Sequence, residues 1–480
     1  MDKPQAEYVD AGIPEIPYEI PSTGGEDGLS SEHWEYLLNR HGTLQLNLIL
    51  SMDDNDPCNW PAWEKLTNLA LVAFHAMMAT FTTAAIQCAF VEIADNLGVS
   101  VHRASYLTSL VIAVLGAAPL IRKPFADRYG RCPVFLLSLV CSFIGNIGCA
   151  KSPSYATMGL CRAITGFFIC PAAAIGSGVV REMFFARDCA RYMGVSALMV
   201  TLGVPSAPFI FGFAVVRVNG IQLVLYFFLG RETLYCSSAR YDDKPVGSRL
   251  SAVGCLNPTP LTLKNFFGPL TSAARPSVLI PAVAYSMVFL LASVLISIEI
   301  PQIFPDKFGL DARQVGLQNL AIIIGSGLGE HVGGYLSDQW MSYRENQIGR
   351  IPLPEHRLWL SYSGVALAIC GIVVFLVQTE KASGQWNVTP LIGAAIAAGG
   401  IQIVTTVNIT YAVDCYSGDT AGVGVFITFV RHIWGFIGLF WFPLMLEDIG
   451  FYGSTGVIVA MLVGGSVIPT LALQCMGHRW

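Results

Sequence analysis

Arg431 and His432 stand together in the middle of GVFITFVRHIWGFIGLF (424–440), and Glu330 interrupts IIIGSGLGEHVGG (322–334). Arg162 does the same to LCRAITGFF (160–168), and Glu299 to a long apolar run after residue 277. An ionisable group at bilayer depth costs about 2.5–3.5 kcal/mol on insertion scales, so it faces a partner or a wet cavity. Two chemistries suit such residues. One is a permanent ion pair that staples two helices; the other is a carboxylate that exchanges an arginine for a proton, which would couple proton movement to a conformational change. Both readings stay open for Glu330, Arg431 and Arg162. Covalent catalysis finds no support: the sequence has no HExxH, no GxSxG elbow and no phosphate-binding P-loop, and its 8 histidines are scattered. The 13 cysteines form no CxxC and lie mostly in apolar runs, which reads as small core residues rather than metal ligands or disulfides. The sequence therefore predicts no enzyme, no cofactor, no catalytic residue and no metal site.

The elements that hold these residues follow from composition. Of the 480 residues, 53% are hydrophobic and only 13% are charged, about half the charge of a soluble domain. Long apolar runs alternate with short polar ones, the signature of a polytopic helical membrane protein. A span needs about 20 apolar residues. Twelve runs qualify, near 67–91, 105–124, 133–150, 155–180, 192–216, 219–232, 277–301, 314–336, 357–378, 388–413, 421–446 and 453–475. The sixth has about ten apolar residues and is predicted to be short or distorted. The runs divide the chain into a disordered cytosolic tail (1–65), a six-helix bundle (66–232), a cytosolic central loop (233–276) and a second six-helix bundle (277–480). With both termini in the cytosol, 20 of the 28 Lys and Arg fall on the cytosolic side, six on the other and two within spans, which satisfies the positive-inside bias. The net charge of −5 without a basic cluster excludes a nucleic-acid partner.

Periodicity assigns faces. Gly424, Thr428, Arg431, Gly435 and Gly438 form one stripe of span 11, so Arg431 looks into the bundle. Asn319, Ser326, Glu330, Gly333 and Ser337 form a polar stripe on span 8. Arg431 and Glu330 are expected to meet. In span 1, Thr80, Thr83 and Gln87 share a face and His75 lies on another, where it reads either as a satisfied bundle histidine or as a cavity residue. Asn387 opens an N-x-T sequon in the loop before span 10 and is a glycosylation candidate; a second sequon at Asn408 falls inside that span.

Between spans 2 and 3, KPFADRYGRCP (123–133) resembles the signature loop of the major facilitator superfamily, G-x-x-x-D-R-x-G-R-R/K. Asp127, Arg128, Gly130 and Arg131 match; Lys123 and Cys132 depart from it. GGYLSDQW (333–340) is similar to a degraded second copy, with Gly334 and Asp338 aligned, and the Arg162 segment resembles the span-4 motif. LGVPSAPFIFG (202–212) is loosely similar to the span-5 antiporter motif, with its core not intact. DPCNWPAWEK (56–65), VREMFFARDCARYMG (180–194), IPQIFPDKFGLDARQVGLQ (300–318) and TYAVDCY (410–416) resemble the fungal drug:proton antiporter-like branch, whose usual opening of span 6 is missing here. The resemblance implies an all-α major facilitator fold, two six-helix bundles with pseudo-two-fold symmetry. It also implies that the signature loop locks the halves in one state. It implies a monomer of the plasma membrane that exports a small organic molecule, a secondary metabolite or drug, by alternating access driven by protons. Import of a cationic solute such as a polyamine, and a non-transporting paralogue, are the alternatives. By the same analogy spans 1, 4, 7 and 10 line the cavity, making His75, Thr83, Gln87, Glu299, Asn408 and Tyr411 the substrate-contact candidates.

Overall fold

The computed structural model describes residues 56–184, 186–210, 215–233, 261–348, 354–382, 384–416 and 420–476. No strand occurs among them. In chain order the long helices are α1 (Ala62–Ala84), α2 (Val101–Tyr129), α3 (Arg131–Ala150), α4 (Tyr155–Ile169, continued by Pro171–Met183), α5 (Ala186–Phe209) and α6 (Val215–Leu229). The second half has α7, which runs Pro276–Phe289, one π turn at Leu290–Val294, then Leu295–Phe308. It continues with α8 (Ala312–Ile348), α9 (Leu358–Lys381) and α10 (Thr389–Cys415). The helix that begins at Thr420 is broken by Gly450, whose φ of 67° and ψ of 173° are non-helical, into α11 (420–449) and α12 (451–476). The order and number agree with the twelve predicted spans.

Local chemistry sets the ends. Ser100 opens α2 by accepting from the Arg103 N–H, and Ser154 and Thr157 form a reciprocal cap on α4. α4 is interrupted at Cys170 because Pro171 has no N–H to continue the ladder. Three boundaries differ from the sequence reading. α1 ends at Ala84, and its predicted remainder becomes a 3-10 turn (Gln87–Ala89) and a short helix (Phe90–Leu97). α8 runs on to Ile348, so GGYLSDQW is helix rather than loop. The segment from Asp56 is folded: Trp60 belongs to the core of the first half, and Lys65 Nζ donates to the Cys58 carbonyl at 2.7 Å. Residues 1–55 and most of the central loop (234–260) lie outside the described residues.

Eight of the described helices are long and apolar enough to cross a membrane, the α11–α12 pair being counted as one. α6 is the short one. Its 15 residues reach about 22 Å at 1.5 Å per residue, against a hydrocarbon core of about 30 Å. It packs on α1 and α3, with the buried Asn219 and Gln222 amides lacking protein partners.

Within the first half α1 packs on α5 and α4, and α3 on α4 and α6; within the second, α8 and α9 both pack on α10. The α8–α10 contact is a backbone-to-backbone approach: a Cβ on Gly325 would run into the Ala395 carbonyl oxygen, and one on Gly329 would lie 2.5 Å from that of Gly399. Small residues permit this closeness where apolar burial alone gives little drive between helices in lipid. The halves meet along two main seams, α2 against α11 and α5 against α8, which exchange when the halves are interchanged. Each seam sets a glycine of the first half against an ionisable side chain of the second. A Cβ on Gly116 would lie 2.8 Å from His432 Cβ, and one on Gly194 would lie 3.0 Å from Glu330 Oε1.

Candidate functional site

Between the seams lies a small cavity of about 50 Å³, well below the several hundred Å³ of an open small-molecule site, so a ligand enters only as the halves move apart. Its walls come from α1, α2, α5, α7 and α11 and the turn after α1. Thr80, Thr83, Gln87, Thr108 and Thr201 give the first half's polar surface; Ser293, Ser297, Arg431 and His432 give the second's. Leu115, Val200, Val204, Phe289 and Ile298 make the rest apolar. The halves touch on either side of it. Tyr106 of α2 packs at a tilt of 36° against Phe440 of α11 with centroids 4.9 Å apart, and near the opposite ends Gly178 of α4 comes within 3.3 Å, measured from an added Cβ, of Ala421 of α11.

Arg431 is the ionised group in the cavity wall. Its Nη1 donates to Tyr285 Oη at 3.2 Å, and its guanidinium lies 5.1 Å from the Phe289 ring centroid. His432 Nδ1 is 2.7 Å from the Thr428 carbonyl, so Nδ1 carries the proton and Nε2 is left to accept from Arg431 Nη2 at 3.5 Å. Arg431 Nε has no partner. Every group that holds this arginine is neutral. Among the described residues no carboxylate lies within 4.0 Å of it.

The structure does not bring Arg431 and Glu330 together. Glu330 belongs to the other seam. Its Oε2 accepts from Gln402 Nε2 at 2.7 Å and from Thr406 Oγ1 at 3.1 Å, both on α10 one turn apart, while Oε1 faces Gly194 of α5. Arg162 has no carboxylate partner either. Its Nη1 and Nη2 donate to the carbonyls of Thr82 and Thr83, each at 2.7 Å. These are two of the four carbonyls that the end of α1 at Ala84 leaves without helical partners. A buried arginine there satisfies both and sits where the helix dipole favours a cation. Arg162 thus caps α1 directly behind the cavity wall formed by Thr83.

Of the predicted contact residues, Thr83 and Gln87 line the cavity and the other four do not. His75 is buried in the first half, bonded to Ser138 Oγ through Nε2 at 3.0 Å and edge-on to Phe135. Glu299 is buried on α7 towards Glu447, with Oε1 unpartnered. Asn408 is buried in α10, and Tyr411 packs against Leu358 and Leu473. α4 and α10 contribute no residue to this cavity; α2, α5 and α11 contribute the walls besides α1 and α7. Span 7 also carries Ser293 and Ser297 into the wall, as its analogy to a cavity-lining span implies; Thr108 and Thr201 are the polar cavity residues that the sequence reading did not single out, since only the period of an apolar helix carried them.

At the basic end of the first half, Arg131 joins Asp127 (Nη1 to Oδ1, 2.6 Å) to Glu182 of α4 (Nη2 to Oε1, 2.9 Å), and Lys123 reaches Asp127 at 3.2 Å. Gly130 has φ of 98°, the left-handed side that the tight α2–α3 turn requires. The carboxylate that caps the start of α3 is Glu232, which accepts from the N–H groups of Arg131 and Cys132 at 2.8 and 2.9 Å. These ion-pair partners of Asp127 and Arg131 all belong to the first half. Arg128 lies on the same turn, stacked on Tyr129. The second half repeats the arrangement with Arg357 at the start of α9, bonded to Ser337 of α8 at 2.8 Å and 3.6 Å from Asp414 at the end of α10. Gly334 lies within α8 with open space beside it; the side chain of Asp338 is outside the described residues. Asn387 is exposed, with Oδ1 accepting from Thr389 N–H and Oγ1.

Two halves of matching topology around a central cavity are now joined to a direct match: the sequence profile of the Major Facilitator Superfamily covers residues 70–439. The chain belongs to the major facilitator superfamily. Within this superfamily it is similar to polyamine transporter 3 of Saccharomyces cerevisiae, with 23% identity over 412 residues, 82% of this chain and 65% of that protein. The chain thus spans just under two thirds of that relative's length. It is also similar to the efflux pump radE of Floropilus chiversii, 24% identical over 454 residues, 87% of this chain and 81% of that one. The crystal structure of the human organic anion transporter MFSD10 superposes with a TM-score of 0.59 at 14% identity, covering 86% of this chain and all of that one, and shows the major facilitator fold alone.

Proposed function

We propose that this chain is a proton-coupled secondary transporter that exports a small organic molecule by alternating access. The observation that carries the reading is the cavity itself, whose wall is built from both halves and on either side of which those halves touch. Opening one seam while the other stays shut exposes such a site to one face of the membrane at a time. Glu330 is the proton carrier. Its carboxylate lies in the α5–α8 seam, so a rocking of the halves changes its access to water, and Gln402 and Thr406 keep Oε2 oriented in either protonation state. Fungal efflux pumps among the relatives support export. The positive-inside bias supports cytosolic termini, and on this reading the protein works as a monomer of the plasma membrane, with Asn387 outside as an acceptor for glycan. The two arginine clusters, Arg131 with Asp127 and Glu182, and Arg357 with Asp414, brace the helix ends of each half so that each moves as a body.

The test compares small-molecule accumulation in host cells with and without the gene, with and without a protonophore. Retention of one compound class in the deletion strain, with the difference erased by protonophore, supports the reading. Lower accumulation in the deletion strain refutes export. No difference over a broad panel, with the protein present in the membrane, refutes transport.

A further inference from the structure

We infer that the cavity, once the halves part, takes an organic anion: an apolar body bearing a carboxylate, sulfonate or phenolate that docks on Arg431. The inference deepens the transport reading by naming the substrate class of the same site. A guanidinium in a desolvated wall is normally compensated by a carboxylate, because an unpaired buried charge is costly. Here the groups holding Arg431 are Tyr285, His432 and the face of Phe289, which orient it without neutralising it. The missing counter-charge is absent from the rest of the wall as well, since no Asp or Glu lines the cavity.

The two membrane carboxylates lie elsewhere. Glu330 is bonded into α10, and Glu299 is buried on the side of Glu447. The other arginine of this region, Arg162, adds a second positive charge behind Thr83 through its grip on the α1 carbonyls. Gln87 Oε1 and Thr108 Oγ1 are buried without protein partners. Thr108 can donate to an oxygen of the ligand. A planar fork such as guanidinium matches a carboxylate or sulfonate in two parallel bonds, and the apolar part of the wall accepts the body. A polyamine meets the opposite of what it needs: one fixed cation and no carboxylate.

The experiment uses the purified full chain in detergent and matched one- and two-ring aromatic probes carrying a sulfonate, a carboxamide or a methylammonium on the same position. Ligand-induced thermal stabilisation is read for each. The sulfonate members are expected to bind at least ten-fold more tightly than their ammonium partners. Arg431→Gln should abolish that preference, Arg431→Lys should keep a reduced one, and Ser297→Asp in the Arg431→Gln background should turn it towards ammonium. Equal or tighter binding of the ammonium probes, no preference in any scaffold, or a preference that survives Arg431→Gln overturns the inference. Because binding is read without a gradient, anion binding in a protein that moves no substrate would sink the transport reading and leave this inference standing.

Discussion

Replacing Arg162 tests whether this buried arginine serves the end of α1 or a proton relay. Arg162→Met keeps most of the length and removes both donors. Each charge-assisted bond to a carbonyl is worth about 1.5–3 kcal/mol, so the two at 2.7 Å sum to about 3–6 kcal/mol. Relief of the guanidinium's own desolvation, uncompensated by any carboxylate among the described residues, works the other way. A net loss of about 2–4 kcal/mol remains. Arg162→Lys, with a compact ammonium in place of the fork, should lose roughly half of that. The assay is equilibrium unfolding of the purified protein in mixed micelles followed by tryptophan fluorescence, paired with hydrogen exchange. The capping role predicts faster exchange confined to the last turn of α1 and the Gln87–Ala89 turn that follows it. An Arg162→Met protein with wild-type stability and protection, defective only in coupling, would refute the capping argument and return Arg162 to the proton pathway.

Other consequences are equally direct. Gly329→Val places its side chain against the Gly399 backbone, so folded yield should fall by more than ten-fold, read as monodisperse protein after extraction; wild-type yield would show that α8 and α10 can separate. Glu182→Gln strands the buried Arg131 guanidinium beside Asp127 alone and should cost about 2–3 kcal/mol in the same unfolding assay, whereas removing the exposed Arg103 should change it by less than about 0.5 kcal/mol. Asn387→Gln should abolish an endoglycosidase-sensitive mobility shift in a eukaryotic host, and Asn408→Gln should leave the shift intact. An unchanged shift in Asn387→Gln would remove Asn387 as the acceptor.

What could be read in the sequence divides along physical lines. The helices were legible because a span declares itself by length and apolarity, and the signature segment because Asp127, Gly130 and Arg131 keep the family's spacing. Arg431 facing inward, and Thr83 and Gln87 sharing a face, followed from the helical period. The period says which way a side chain points, and nothing about which helix meets it there. Glu330 and Arg431 therefore looked like partners, while the fold assigns them to different seams. Arg162 was illegible for another reason: its acceptors are carbonyls, which every residue has, and they are free only because α1 stops at Ala84. Arg357 with Asp414, the second half's counterpart of the Arg131 cluster, joins residues 57 positions apart in sequence and carries no local motif.

The most direct test of proton-coupled transport is a paired flux measurement in proteoliposomes loaded with a pH-sensitive dye, using the compound retained by the deletion strain. An imposed pH gradient should drive that compound and protons in opposite directions through the wild-type protein. Glu330→Gln should retain compound exchange and lose the response to the gradient. Compound flux that ignores the gradient in the wild type, or full coupling in Glu330→Gln, would contradict the account.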